Sequence, residues 1–219
     1  MMETTLQHFN NCLTQAEKEF FDGLRTPAQI QAFLDETRYP SGSENRAPLD
    51  VFHQRTAHCL DGGLFAALAL RRIGFPPLIL DMQPDPGMDD DHVLALYKIE
   101  DCWGAIAKSN YSGLRFREAV YRSLRELVIS YFEDFFSVHG LRTLRYYTRP
   151  INLSRFDASG WMASSAGVDW VEGYLKTLKV TPLITTAQAV RLNPIDQRSF
   201  EAGSLGLNPD GAYQPKKQV

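Results

Sequence analysis

The chain has 219 residues, 44% of them hydrophobic and 22% charged, enough to bury one good core and hold one domain with an elaborated tail. A formal charge of -3 supplies no overall basic field, which argues against a nucleic-acid partner held by bulk electrostatics. The three cysteines, Cys12, Cys59 and Cys102, form no CxxC pair and leave an odd one over, so the pattern speaks against a disulfide framework and for a reducing compartment, the cytosol.

Glu3, Glu17, Lys18 and Glu19 interrupt the first 21 residues, which lack the apolar core of a signal peptide. No stretch approaches the roughly 20 apolar residues of a membrane helix, so a cytoplasmic protein without a membrane partner is expected. Leu6, Phe9, Cys12, Leu13, Phe20 and Phe21 fit one helix or a broken pair. Thr26 offers an N-cap with Pro27 at the first helical position, and Ile30, Phe33 and Leu34 give that short helix its apolar face. Residues 39–48 read as a loop leading to Cys59. From Cys59 to Ile73 apolar residues recur at helical spacing and stop at Gly74 and Pro76.

Leu78, Ile79 and Leu80 make a buried strand, and residues 84–91 an acidic loop. Val93 to Ile99 and Trp103 to Ala107 form two strands of a tight hairpin, with His92 at the start of the first. Val120, Leu124, Leu127, Val128, Tyr131 and Phe135 lie on one stripe of an amphipathic helix ending at His139 and Gly140. A strand within 141–150 and a helix over 170–178 follow. Residues 193–219, rich in Gly, Pro, Asn and Gln and closing on Lys216, Lys217, Gln218 and Val219, suggest a wrapped or partly disordered tail. The division is a single domain over 1–192, with its core at about 27–150, and the tail at 193–219.

Cys59 draws attention because a thiol at a helix start lies at the positive end of the dipole, among free backbone N–H groups that lower a thiol pKa and can hold an oxyanion. Gly62 and Gly63 in the first turn are poor helix formers, which points to close approach by another backbone or a substrate. The bland alternative is a buried cysteine packing under the helix.

The order of a helix-starting Cys, a strand-starting His and a Trp-bearing return strand resembles the transglutaminase-like core of the papain-like cysteine peptidase superfamily. The residues are Arg55-Thr-Ala-His-Cys59-Leu-Asp-Gly-Gly, Asp91-His92-Val-Leu-Ala-Leu-Tyr97 and Trp103-Gly-Ala-Ile-Ala-Lys-Ser-Asn110, with Cys59 and His92 separated by 33 positions. The match spans Pro27 to Asn110, about two-fifths of the chain. Through Leu114-Arg-Phe-Arg-Glu118 and Leu124-Arg-Glu-Leu127 the longer pattern resembles an uncharacterised bacterial subgroup, whose function the resemblance does not supply. It implies an α+β fold: a Cys-bearing helix packed on a small antiparallel sheet, with extra N- and C-terminal helices.

The resemblance further implies that His92 takes the proton of Cys59, whose thiolate attacks an amide or ester carbonyl to form a thioester released by water or an amine. The alternative for His92 is a strand-end histidine satisfied by Asp89, Asp90 and Asp91. The family's third residue, an Asp about four positions after the Trp, is missing, since this stretch reads Ala107-Lys108-Ser109-Asn110. Asn110 is the nearest acceptor for an imidazole N–H, as in papain-like enzymes, with Ser109 as runner-up and Asp101 in register only outside its turn. Gln54 and His58 are candidates for oxyanion or supporting roles. Trp103, Lys108, Arg115 and Arg117 are candidates for binding substrate, the two arginines by holding a carboxylate or phosphate. Consecutive side chains of an extended segment alternate in direction, so the run Asp89 to His92 does not converge on a metal without a turn.

Two function classes follow. One is a thiol-dependent hydrolase or acyltransferase acting on a peptide, amide or small acyl substrate, an acidic one if the two arginines hold it, with no cofactor. The other is a catalytically inactive binding or scaffolding module, favoured by the missing Asp.

Overall fold

The computed structural model describes residues 5–214. The Glu3 of the N-terminal reading and the closing Lys216 to Val219 lie outside them. Helices α1 (Thr5–Cys12), α2 (Gln15–Gly23) and α3 (Pro27–Asp35) lead into α4 (Pro48–Gln54) and α5 (Cys59–Arg72). The first two are the broken pair, separated where Thr14 caps α2 by accepting from the Glu17 N–H. At α3 the Thr26 hydroxyl accepts from the Gln29 N–H, with Pro27 at the first helical position. Helix α4 begins at Pro48, where the loop was expected to end, and stops at Arg55 in a left-handed conformation.

Helix α5 is central because it is apolar on every side: Leu60 through Leu70 are all buried. Its last turn is tied down by Arg71, whose guanidinium donates two 2.8 Å hydrogen bonds to the Asp157 carboxylate. Beyond it the chain enters β1 (Leu78–Pro84), β2 (His92–Ile99), β3 (Cys102–Ile106) and β4 (Arg117–Tyr121). Glu100 and Asp101, both at positive φ, form the two-residue β2–β3 turn.

The stripe from Val120 to Phe135 is not one helix. Val120 lies in β4 and is 63% exposed, α6 (Leu124–Ile129) is six residues long, and turns follow to Phe135. Two local effects override the helical spacing: pairing with β3 satisfies the backbone of residues 117–121, and the Ser123 hydroxyl caps a new helix by accepting from the Glu126 N–H. Next come β5 (Leu144–Thr148), β6 (Ile151–Asn152), α7 (Ser165–Leu175), β7 (Val180–Pro182), α8 (Thr186–Ala189) and α9 (Gln197–Gly203).

The fold is α+β, with seven strands among the described residues in one antiparallel sheet ordered β4-β3-β2-β1-β5-β7, and β6 also on β1. This sheet is larger than the small one expected. Each face carries its own hydrophobic layer. Ile79, Val93, Ala95 and Tyr97 pack with α5 and the N-terminal helices, whereas Leu80, Met82, Leu94 and Leu96 pack with Leu127, Tyr131, Phe135 and Phe136. Residues 193–214 lie against the second layer through Phe200 on Phe136, then cross towards Tyr39 through Asn208. Among the described residues no helix is long and apolar enough to cross a membrane.

Candidate functional site

The site is built around the first turn of α5. Asp61, fully buried there, accepts hydrogen bonds from the backbone N–H groups of Arg46 (2.8 Å) and His58 (3.2 Å) and lies 3.7 Å from the Arg46 guanidinium. Burial pushes its carboxyl up to about 7, against the pull of those donors. The glycines of this turn answer to close packing: a Cβ on Gly63 would stand 2.8 Å from Val93 Cγ1, and one on Gly62 would run into the Lys108 side chain. The close approach read from these glycines is therefore that of the protein's own sheet.

Cys59, the first residue of α5, is partly exposed and donates its thiol to the Asp91 carbonyl at 3.3 Å. Removal from water, then the Asp90, Asp81 and Asp61 carboxylates, push the thiol well above its ordinary range; a hydrogen bond from the Val93 backbone opposes this only in part. The helix-dipole effect that favours a thiolate is outweighed here. A cavity of about 390 Å³ opens beside the thiol, lined by His58, Cys59, Asp81, Asp90, Asp91 and Glu172, with apolar walls from Leu60, Val93 and Leu175.

His92 does begin a strand, but the structure does not bring it to Cys59. Successive side chains of a strand point to opposite faces. Val93 faces α5, so His92 faces the other layer with Leu94 and Leu96. There its ring Nε2 lies 2.8 Å from the Leu114 carbonyl, a contact made by the Nε2–H tautomer, and the ring meets Phe135 edge-on at 6.3 Å. Burial brings the imidazole down to about 4, leaving it neutral near pH 7. The satisfied strand-end histidine is the arrangement found, with a backbone carbonyl as partner rather than the acidic loop.

The remaining candidates also have structural partners. Asn110 holds the C-terminal segment, donating to the Asn208 carbonyl at 2.9 Å and accepting from the Asn208 N–H at 2.8 Å. Ser109 accepts from the Tyr111 N–H, and Gln54 accepts from Arg46 Nε; neither lines the cavity. His58 does line it, but its Nε2 is 3.5 Å from Asp61 and burial, then Arg46, lower its pKa to about 4. Lys108 is buried and donates its ammonium to the carbonyls of Leu34 and Thr37 at the end of α3. Trp103 stacks under the Lys98 ammonium on β3 and is not part of the cavity lining. Arg115 pairs with Asp35 at 2.9 Å, and Arg117 pairs with Asp134 at 3.1 Å while covering the Tyr131 ring, so neither is positioned to hold an acidic substrate beside Cys59.

Asp81 and Glu172 enter as lining residues that the sequence reading did not select. Asp81 is 2% exposed; burial and the neighbouring Asp91 push its carboxyl up to about 8, with a 2.8 Å hydrogen bond from Gln83 opposing. A lone acid in the apolar run Leu78-Ile-Leu-Asp-Met82 was the available signal, because a buried strand excludes a charge without a reason. Glu172 lay on a stretch of α7 with no motif to mark it. No protein-family model matches the chain, and no curated protein matches it.

Proposed function

We propose that this protein is a ligand-binding module of transglutaminase-like layout, with its ligand in the cavity beside Cys59 and no thioester formed there. The separation of thiol and imidazole onto opposite faces of β2 carries this reading. An upward shift of the thiol pKa, from loss of water around the sulfur and from nearby carboxylates, supports it further. For the layout, the support is a Cys-bearing central helix lying on an antiparallel sheet at Gly63 and Val93. The three unpaired cysteines support a reducing compartment, the cytosol.

A second reading keeps Cys59 as the nucleophile of a hydrolase or acyltransferase with His92 as its base; the position of Cys59, first in α5 and open to a cavity, favours it. Iodoacetamide alkylation of Cys59 across pH, followed by peptide mass mapping to separate it from Cys12 and Cys102, distinguishes the two. Slow modification with no inflection below about pH 8.5 is expected for the binding module. An inflection near neutrality that His92→Ala abolishes would select the enzyme.

A further inference from the structure

The Asp81 carboxyl is only half hydrogen-bonded. One carboxyl oxygen accepts from Gln83 Nε2, whereas Oδ1 is buried without a hydrogen-bond partner, on a residue that lines the cavity and is 2% exposed. Leaving a buried carboxyl oxygen unpartnered is costly, so such a residue gains from a ligand that donates to it. The basic and amide groups of the cavity are committed elsewhere. Its most basic group, Lys176, donates to Glu172 Oε1 at 2.6 Å, and the Asn45 amide donates to Asp169 and to Glu172 Oε2. Asp90, Asp91 and Asp210 add carboxylates around the opening.

The form of the cavity limits the class of cation. Among the described residues no group of three or more His, Cys, Asp or Glu side chains is gathered closely enough to hold a metal ion. The acids are distributed around a space that Leu60, Val93 and Leu175 wall with apolar surface. Spread carboxylates with apolar surface between them match a positively charged N–H donor on a short hydrocarbon chain better than a bare ion.

From this geometry we infer that the cavity beside Cys59 binds a small organic cation, an alkylammonium or alkylguanidinium, whose N–H groups donate to the Asp81 carboxyl and the surrounding carboxylates. The assignment rests on the binding-module reading and gives it a ligand class. It also reverses the expectation of an acidic substrate, because the surface beside the thiol carries carboxylates and the arginines meant to hold an anion are paired elsewhere.

The test is calorimetric titration of the intact protein with 1,4-diaminobutane and with agmatine, and in parallel with 1,4-butanediol as neutral counterpart and adipate as anion. Saturable one-to-one binding of at least one cation is expected, without binding of the diol or the diacid. Asp81→Asn and Asp91→Asn should each weaken the cation about tenfold, equivalent to about 1.4 kcal/mol. Glu133→Gln, the same charge change on an exposed residue paired with Arg142, should leave affinity unchanged. Equal affinity in Asp81→Asn and Glu133→Gln, or failure of both cations to bind, would overturn the assignment. Tighter binding of adipate or butanediol would also overturn it, while leaving the cavity a binding site. An inflection near neutrality in Cys59 alkylation that His92→Ala abolishes is a separate outcome, which removes the binding-module reading itself.

Discussion

Two faces of one sheet, made by alternate residues of the same strands, carry different chemistry. On the α5 face Asp81 and Asp91 stand with Cys59 around a cavity, and carboxyls are kept partly protonated by burial. On the opposite face His92 sits in a closed layer with Phe135 and spends its N–H on a backbone carbonyl. The difference teaches that nearness in sequence to a reactive residue says little until side-chain parity is known: Asp91 and His92 are adjacent, yet only one reaches the cavity.

The largest expected effect tests whether both faces are load-carrying cores. Phe65→Ala on the α5 face and Phe135→Ala on the other should each cost about 3–5 kcal/mol in urea unfolding, since both rings are essentially buried. Only Phe65→Ala should alter the Cys59 alkylation profile, and an equal disturbance by Phe135→Ala would break the separation of the faces.

His92→Phe should come next. It removes the donor to the Leu114 carbonyl and should cost about 1–3 kcal/mol. Alkylation of Cys59 should be unchanged, and a slower rate in this variant would reunite the two faces.

A third effect sharpens the comparison by pH. The carboxyls of Asp61 and Asp89 are raised to about 7 and that of Asp81 to about 8, above the 3.8 of a freely solvated aspartate, so the folded state holds protons that the unfolded chain has released. Stability is then lost as pH rises towards those values. His58 and His92, lowered to about 4 from 6.5, act in the opposite direction but only below about 6.5. Between pH 6.5 and pH 8 the acids act without that opposition, so the melting temperature should fall across this window by about a few degrees, and Asp81→Asn should flatten the fall. A rising melting temperature would show that the acids are ionised in the fold. The smallest effect belongs to Arg115→Ala, which breaks a half-exposed ion pair with Asp35 and should change stability by about 1 kcal/mol or less, with no change in cation binding.

Much of the frame is legible in the sequence because it is written in local signals. Thr26 with Pro27 starts α3, Cys59 starts α5, Gly74 follows its end, and residues 100–101 turn the hairpin. The side on which His92 emerges is not legible, for a physical reason. A strand with one wet face alternates apolar and polar residues, but Val93-Leu-Ala-Leu-Tyr97 is apolar throughout because both faces are covered, and the alternation that reveals parity is absent. The stripe from Val120 to Phe135 misleads in another way: a strand, a short helix and a turn each contribute residues that happen to fall at helical spacing. Asn110 reads as a catalytic acceptor because its partner, Asn208, lies 98 positions away and is reached only in the folded chain.

The juxtaposition of Asp91 and His92 has an engineering consequence. A single residue inserted into the 85–91 segment and absorbed as a β-bulge at the start of β2 could exchange which of the two side chains is presented to α5. A carboxylate beside the thiol and an imidazole beside it are thus separated in this architecture by one insertion rather than by many substitutions, which makes the loop before His92 the place to begin if a designer wishes to build a thiol–imidazole pair here.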